Sequence, residues 1–385
     1  MIEPVARTRS PLTVILPTRN RPRYCAAQLR FFRDCGLAHP IVVADSSDPA
    51  DAQAVRDACA GIARHRRFDP AIGAAEKFIT TLRAVDTPFV VMTPDDDVTF
   101  PHAIDAALAH LRQNPDFIAA HGYVLRFGMH DEAFDIHNVS GFAPSIGHDE
   151  PLQRLYHLIR RYQPIIWAMF RTETVTAAMQ AASGVEGLIF QELTFAASAA
   201  LAGKIARLPV VYSMRGMEES MSRLEEIHPL FWFLRDAEGF FEKYRAYRAG
   251  LVRRIRREAL AAKPVLARLR ARVGMLRHGA AENSDLQQVL DLIHATWLGR
   301  ELDLGALEHT VRQKLGDPLP PIHVAPVWCG WREPVQGDAV HFSPRGDRRY
   351  VWRREVLTAE PREEIAITAD EMARVERELD AYRLE

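Results

Sequence analysis

Over the first half of the chain, apolar residues come in short continuous runs separated by amphipathic stretches. LTVIL (12–16) stops at Pro17, IVVA (41–44) at the turn-forming DSSD (45–48), and PFVVM (88–92) at the acidic TPDDD (93–97). Each run is short, apolar and bounded by turn residues, so each predicts a strand buried on both faces. Helical spacing predicts helices over 24–34, where Leu29, Phe31 and Phe32 fall on or near one side, and over 50–64 and 78–85. Buried strands alternating with helices predict an α/β fold: a mostly parallel sheet with helices on both faces. In such sheets ligands bind beyond the carboxyl ends of the strands. The loops PTRNRP, DSSD and PDDD should therefore converge on one edge.

The alternation continues with a helix over 101–114, a strand over 117–120 and a second apolar run at 123–127. Residues 130–150, rich in Gly, Ser, His and Asp, predict a long loop of the kind that serves as a lid. A helix over 152–162, a strand over 164–170, a helix over 190–201 stopped by Gly203, and a strand over 205–212 complete this part. The character changes beyond about residue 230. Residues 243–278 hold twelve Lys or Arg against Glu258, with Leu251, Ile255, Val265, Leu269, Val273 and Leu276 near helical spacing and Pro264 dividing the stretch. Residues 318–354 are rich in Pro, Trp and Arg, and an acidic helix is expected over 369–384. The expected organisation is an α/β domain at 1–228, a basic helical region at 229–317 forming a C-terminal extension, and a last segment at 318–385.

Composition narrows this picture little. Of 385 residues, 48% are hydrophobic and 26% charged, the balance of a globular protein. A net charge of −1 gives no global bias toward nucleic acid, so nucleic acid is an unlikely partner. The local basic stretch 243–278 fits an anionic membrane surface, or a solvated pair of helices answered by the acidic C-terminal helix. Cys25, Cys35, Cys59 and Cys329 form no C-x-x-C pair, which argues against zinc. With no leader-like or membrane-spanning run, the expected location is cytoplasmic, at most peripheral on the inner membrane face.

Candidate chemistry starts at Asp95, Asp96 and Asp97. In extended backbone, residues i and i+2 point the same way, so Asp95 and Asp97 can share a site. Two converging carboxylates suit Mg²⁺ or Mn²⁺ completed by substrate phosphates. A solvated loop or a helix N-cap would explain three aspartates equally well in isolation. Trp167 and Tyr123 fit either a stacking surface for a ligand or the core, and His102, His121 and His148 lack ligand spacing.

The ordered set TVILPTRNR (13–21), VVADSSD (42–48), TPFVVMTPDDD (87–97) and GLIFQEL (187–193) resembles the family 2 glycosyltransferases of the GT-A fold, over about residues 12–215. The resemblance implies transfer of a sugar from a nucleotide-diphosphate donor, UDP-sugar favoured, with Mn²⁺ or Mg²⁺ bridging the diphosphate. The acceptor would be a glycan, a lipid-linked molecule or a protein, in polysaccharide or glycoconjugate synthesis. By the same resemblance Pro17, Thr18 and Arg19 line the base and ribose, and Asp45 meets the base edge. Lys77 approaches the base or diphosphate, and Asp95 and Asp96 lie at the donor nucleotide. Asp97, with Asp95, binds the metal, and Glu192 is the catalytic base of an inverting enzyme. Separately, the position of Arg215 just after the last strand fits either a place over the diphosphate or a solvated arginine. The chain departs from the pattern at DSSD, where DDGS is usual, and at Gln191, where an acid commonly precedes the base. A sugar nucleotidyltransferase shares this kind of sheet but carries a glycine-rich loop that PTRNRP lacks. A non-catalytic sugar-nucleotide-binding module is the other alternative.

Overall fold

Strand β1 (Leu12–Thr18) lies inside the sheet, third from one edge, and is buried almost throughout. In the computed structural model, the described residues are 10–130, 133–139, 144–160, 162, 164–216, 237–261, 339–341, 350–353 and 367–383. Alternate residues of β1 enter different cores: Leu12, Val14 and Leu16 enter one, and Ile15 the other. Strand β4 (Phe89–Met92) divides in the same way, with Phe89 and Val91 on one side and Val90 and Met92 on the other. This is how an apolar run without polar alternation is satisfied: both of its faces are covered.

The first core is filled by α1 (Pro22–Asp34), α2 (Pro49–Cys59) and α4 (Pro101–Gln113). Each of these helices begins with proline in its first turn, where the missing N–H costs nothing. The opposite face is covered by α3 (Ala74–Leu82), α6 (Thr172–Ala182) and α7 (Leu188–Ala202). A third cluster joins α7 to α5 (Pro151–Arg160) and α8 (Ala237–Ala261) through Phe190, Leu155, Tyr247 and Leu251.

β1 pairs in parallel with β2 (Ile41–Asp45) and with β4, and β2 pairs in parallel with β3 (Arg64–Arg67). Beyond β4 the sheet becomes mixed. β8 (Met169–Arg171) is antiparallel both to β4 and to β6 (Phe117–His130). β7 (Ala133–Val139) pairs antiparallel with β6, and β9 (Lys204–Gly216) parallel with it. The short β5 (Asp97–Thr99) is antiparallel to β9. At the far edge β10 (Ala339–His341) and β11 (Tyr350–Arg353) add to β7.

Several elements differ from the sequence expectation. β3 reads RHRR, an edge strand with no apolar run to announce it. The lid expected at 130–150 contains β7, so its residues 133–139 are sheet. The two runs at 117–120 and 123–127 form one long strand through Gly122. There a Cβ would lie 2.2 Å from the Val210 carbonyl, so only glycine allows the close approach to β9. The strand expected at 164–170 is confined to β8, and α6 follows it directly. The second half of the basic stretch, with Pro264, lies outside the described residues. Its first half is α8, which packs Tyr247, Leu251, Val252 and Ile255 inward and leaves Arg245, Arg253 and Arg257 exposed.

Helix α9 (Ala369–Leu379), assigned from sequence to the last segment at 318–385, packs Met372, Val375 and Leu379 into the same core as β1 and α1. His102 at the start of α4 clasps it. Its Nε2 lies 2.9 Å from Glu371 Oε1 and its Nδ1 2.9 Å from Glu378 Oε1. Glu371 also accepts from the Val211 backbone N–H of β9 at 2.7 Å. Burial disfavours the His102 cation, but the two carboxylates outweigh it and hold its pKa above the ordinary 6.5. Burial likewise works against the Glu371 anion, but His102 and the Val211 N–H hold its pKa below 4.5.

The sign follows from linkage. The His102 contribution is complete below its unfolded pKa and is lost as pH rises through the raised folded value. The Glu371 contribution is complete above its unfolded pKa and is lost as pH falls through the lowered folded value. The clasp therefore stabilises most between about pH 4.5 and 6.5. The stability difference between wild type and His102→Asn, from urea midpoints, should be larger at about pH 5.5 than at about pH 8.5. An equal difference at both would show that the clasp does not depend on charge.

Candidate active site

Three strands deliver their carboxyl ends to one place, and a single segment knots them together. β1 ends at Thr18, opposite Asp45 in the parallel register with β2. Thr18 Oγ1 donates to Asp95 Oδ2 at 2.7 Å, joining β1 to the loop after β4. Asn20 takes the left-handed conformation, φ 56°, which asparagine tolerates better than most residues. In that pose its side chain donates to Asp48 Oδ2 and accepts from the Asp48 N–H, both at 2.7 Å, and its own N–H donates to Ser47 Oγ. Arg21 then turns to the acidic loop, with Nη1 3.3 Å from Asp95 Oδ1 and 2.5 Å from Asp96 Oδ2.

The self-repulsion of three aspartates is thus answered by two arginines. Arg21 serves Asp95 and Asp96, and Arg215 serves Asp97, with Nε 3.3 Å from Oδ2. The second pair follows from register, because Asp97 of β5 stands opposite Arg215 of β9. The chain bends at 95–96, so the i, i+2 alternation of a strand does not govern these side chains. Burial pushes the Asp95 carboxyl up to about 6, against the Thr18 and Arg21 hydrogen bonds. Burial also pushes Asp97 up to about 6, against the charge of Arg215.

Lys77 of α3 reaches the same place from the opposite face of the sheet. Its Nζ donates to the Thr18 carbonyl at 3.1 Å and to Ser46 Oγ at 2.9 Å. Burial lowers its pKa to about 8, offset by Asp95 and Asp45 and reinforced by Arg19. Arg19 is exposed and Pro17 half-buried beside it. Asp45 is fully enclosed: Oδ1 accepts from the Ser47 N–H at 2.7 Å, and His65 Nε2 lies 2.9 Å from Oδ2. Burial opposes its charge, but the Ser47 bonds, His65 and Arg67 hold its pKa below the ordinary range. Arg67 also donates to the carbonyls of Asp45, Phe68 and Ser47, so β3 braces the DSSD turn.

Glu192 approaches from α7. That helix starts at Leu188, preceded by Gly187 at φ 85°, a left-handed angle that favours glycine. Glu192 is therefore the fifth helical residue, beyond the first turn where a helix N-terminus would favour its charge. It is half-buried, and the Tyr162 hydroxyl donates to Oε1 at 2.5 Å. Burial raises its pKa, while the Tyr162 bond and the charge of Arg215 lower it. Arg215 thus acts on both Asp97 and Glu192.

The acidic loop suits a divalent cation of the kind that keeps phosphates and water among its ligands. It offers Asp97 and Asp95, carboxyls whose burial a cation would offset, and no closed protein cage. Among the described residues no group of three His, Cys, Asp or Glu side chains is arranged to hold a metal ion by itself. Trp167 packs edge-on against Phe78, and Tyr123 is buried under Arg207, so both belong to packed surroundings. The residues that sequence reasoning passed over are Asn20, Arg21, His65, Arg67 and Tyr162. The first two stand inside PTRNR and were within reach, whereas nothing local marks the others.

No family model matches the chain, and no curated protein matches it. Solved structures resemble parts of it. TarS from S. aureus is 16% identical over 59% of this chain, with a TM-score of 0.39, and the chain spans only 40% of that protein's length. TarS 1-349 in complex with UDP-GlcNAc is 15% identical over 62% of this chain and 66% of that one, at a TM-score of 0.43. Glucosyl-3-phosphoglycerate synthase from Mycobacterium tuberculosis, in complex with Mn²⁺, UDP-glucose and phosphoglyceric acid, is 15% identical over 55% of this chain and 71% of that one, at a TM-score of 0.32.

Proposed function

We propose that the protein is an inverting glycosyltransferase of the GT-A kind that takes its sugar from a nucleotide-diphosphate donor, a UDP-sugar, with a divalent cation. The observation that carries this reading is the knot at residues 18–21. One segment joins the ends of β1, β2 and β4, and Arg215 links the acidic loop to a half-buried carboxylate on α7. A donor laid along that edge would meet Pro17, Thr18, Arg19 and the DSSD turn at its nucleotide end. It would meet Lys77, Arg21 and Arg215 at its diphosphate. A cation held by Asp97 and Asp95 would supply positive charge to the leaving diphosphate.

Glu192 is suited to the remaining task. An acceptor hydroxyl is too weak an acid to ionise unaided and needs a carboxylate within hydrogen-bond reach. Glu192 would take that proton while the hydroxyl oxygen bonds to the anomeric carbon and the diphosphate departs with its electron pair. The acceptor class is a hydroxyl on a glycan, a lipid-linked molecule or a protein. The exposed arginines of α8 support an encounter with an anionic membrane surface. No described helix is long and apolar enough to cross a membrane.

Thermal unfolding with UDP, GDP and CMP, each with Mn²⁺ or with excess EDTA, tests the donor. UDP with Mn²⁺ at 100-fold above its dissociation constant should stabilise the protein by about 2.7 kcal/mol. Equal stabilisation in EDTA would remove the cation from the proposal, and no stabilisation by any nucleotide would remove the donor.

A further inference from the structure

Tyr162 lies just beyond α5, on the way to β8, and its ring packs against both the α3–α6–α7 core and the α5–α7–α8 cluster. A ring gripped on two sides has little freedom, so its hydroxyl is a fixed point. That point is 2.5 Å from Glu192 Oε1. A glutamate side chain otherwise has three rotatable bonds, and misplacing a base by a fraction of an ångström costs rate. Resting on the glycosyltransferase reading above, we propose that Tyr162 is a positioning residue for the reaction: its hydroxyl holds Oε1 of Glu192, so that Oε2 is the oxygen presented to the acceptor hydroxyl.

The same bond has an electrostatic consequence. Among the described residues, Tyr162 and Arg215 are the titratable or charged groups that act on Glu192, and both favour its ionised form against burial. Without the phenol, the carboxyl would protonate at higher pH, and the base would be lost on the acid side of the rate profile. In the transfer step the acceptor proton goes to Oε2 and the acceptor oxygen bonds to the anomeric carbon. The bond from that carbon to the diphosphate breaks with its electron pair on the diphosphate. Tyr162 keeps its own proton throughout.

The test uses the full chain labelled with ¹³C at glutamate carboxyls, the Glu192 signal being assigned by its loss in Glu192→Gln. Its titration midpoint is compared in wild type, Tyr162→Phe and protein carrying 3-fluorotyrosine at position 162. Beside it runs the pH dependence of UDP release from UDP-glucose and UDP-N-acetylglucosamine with Mn²⁺. Tyr162→Phe should raise both the midpoint and the acid limb of the rate by about one pH unit, the size of a hydrogen bond to a charged group. Fluorotyrosine, a stronger donor, should lower both, and it remains a measure if the phenylalanine variant folds poorly. A midpoint that does not move in either variant overturns the proposal. So does a uniform loss of rate at every pH, which is what a structural role alone would produce. If Glu192→Gln releases UDP at the wild-type rate, the assignment of Glu192 as base fails as well. If Glu192→Gln is inactive and only the midpoint fails to move, the glycosyltransferase reading stands and the role of Tyr162 falls.

Discussion

Replacing Glu192 with glutamine should slow sugar transfer about 10²–10⁴-fold, the range that a positioned general base contributes. The amide keeps the size of the side chain and can still accept the Tyr162 hydrogen bond at its carbonyl oxygen, so α7 should stay in place. What disappears is the basicity that would take the acceptor proton. Donor affinity should therefore be little changed, because Glu192 stands on α7 and its carboxylate is bonded by Tyr162 rather than by a residue of the knotted loops. Asp97→Asn gives the contrasting result. It removes the carboxylate that Arg215 holds and that a cation would use, so Mn²⁺-dependent stabilisation by UDP should fall together with transfer. The measurement is nucleotide release with a competent acceptor, alongside UDP affinity, for both variants. Wild-type transfer by Glu192→Gln would mean that another carboxylate is the base. Loss of UDP binding in Glu192→Gln would mean that Glu192 belongs to the donor site.

Leu379→Ala, far along the chain from any of these loops, should destabilise the α/β domain by about 2–5 kcal/mol. Leu379 is fully buried in the cluster that contains Leu12, Phe31, Val98 and Phe100. Truncating it leaves a cavity bounded by α9 and the elements beneath, which are themselves close-packed and cannot fill the gap. Tyr382, edge-on to Phe31 at 5.7 Å, and the His102 clasp hold α9 from either side, which limits relaxation. Urea unfolding should show a lower midpoint with an unchanged slope, as expected for lost stability rather than altered compactness. Leu152→Ala on α5 is the control. That leucine is 46% exposed, and its loss should cost no more than about 0.5 kcal/mol. If Leu379→Ala behaves like the control, α9 is an appendage and not part of the domain's core.

The amino-acid sequence by itself determined the strands and helices around β1, β2 and β4, and the edge at which their loops meet. Those features follow from local signals: apolar runs, the prolines at 22, 49 and 101, and the turn residues of DSSD. Parallel pairing of buried strands then puts the three loops on one side without further information. The tertiary structure decided which charges answer which. Arg21 reaches Asp96 across 75 positions, Arg215 reaches Asp97 across 118, and Tyr162 reaches Glu192 across 30. No periodicity connects residues that far apart, and an arginine in a loop reads the same whether it faces solvent or a carboxylate. β3 and β7 were hidden for a related reason. Strand RHRR is held by pairing with β2 and has no apolar run of its own, and β7 is set in the sheet by pairing with β6, a partner that no local signal names. The place of α9 in the first core was settled in the same way: its amphipathic pattern specified a buried face, and only folding chose the surface that covers it.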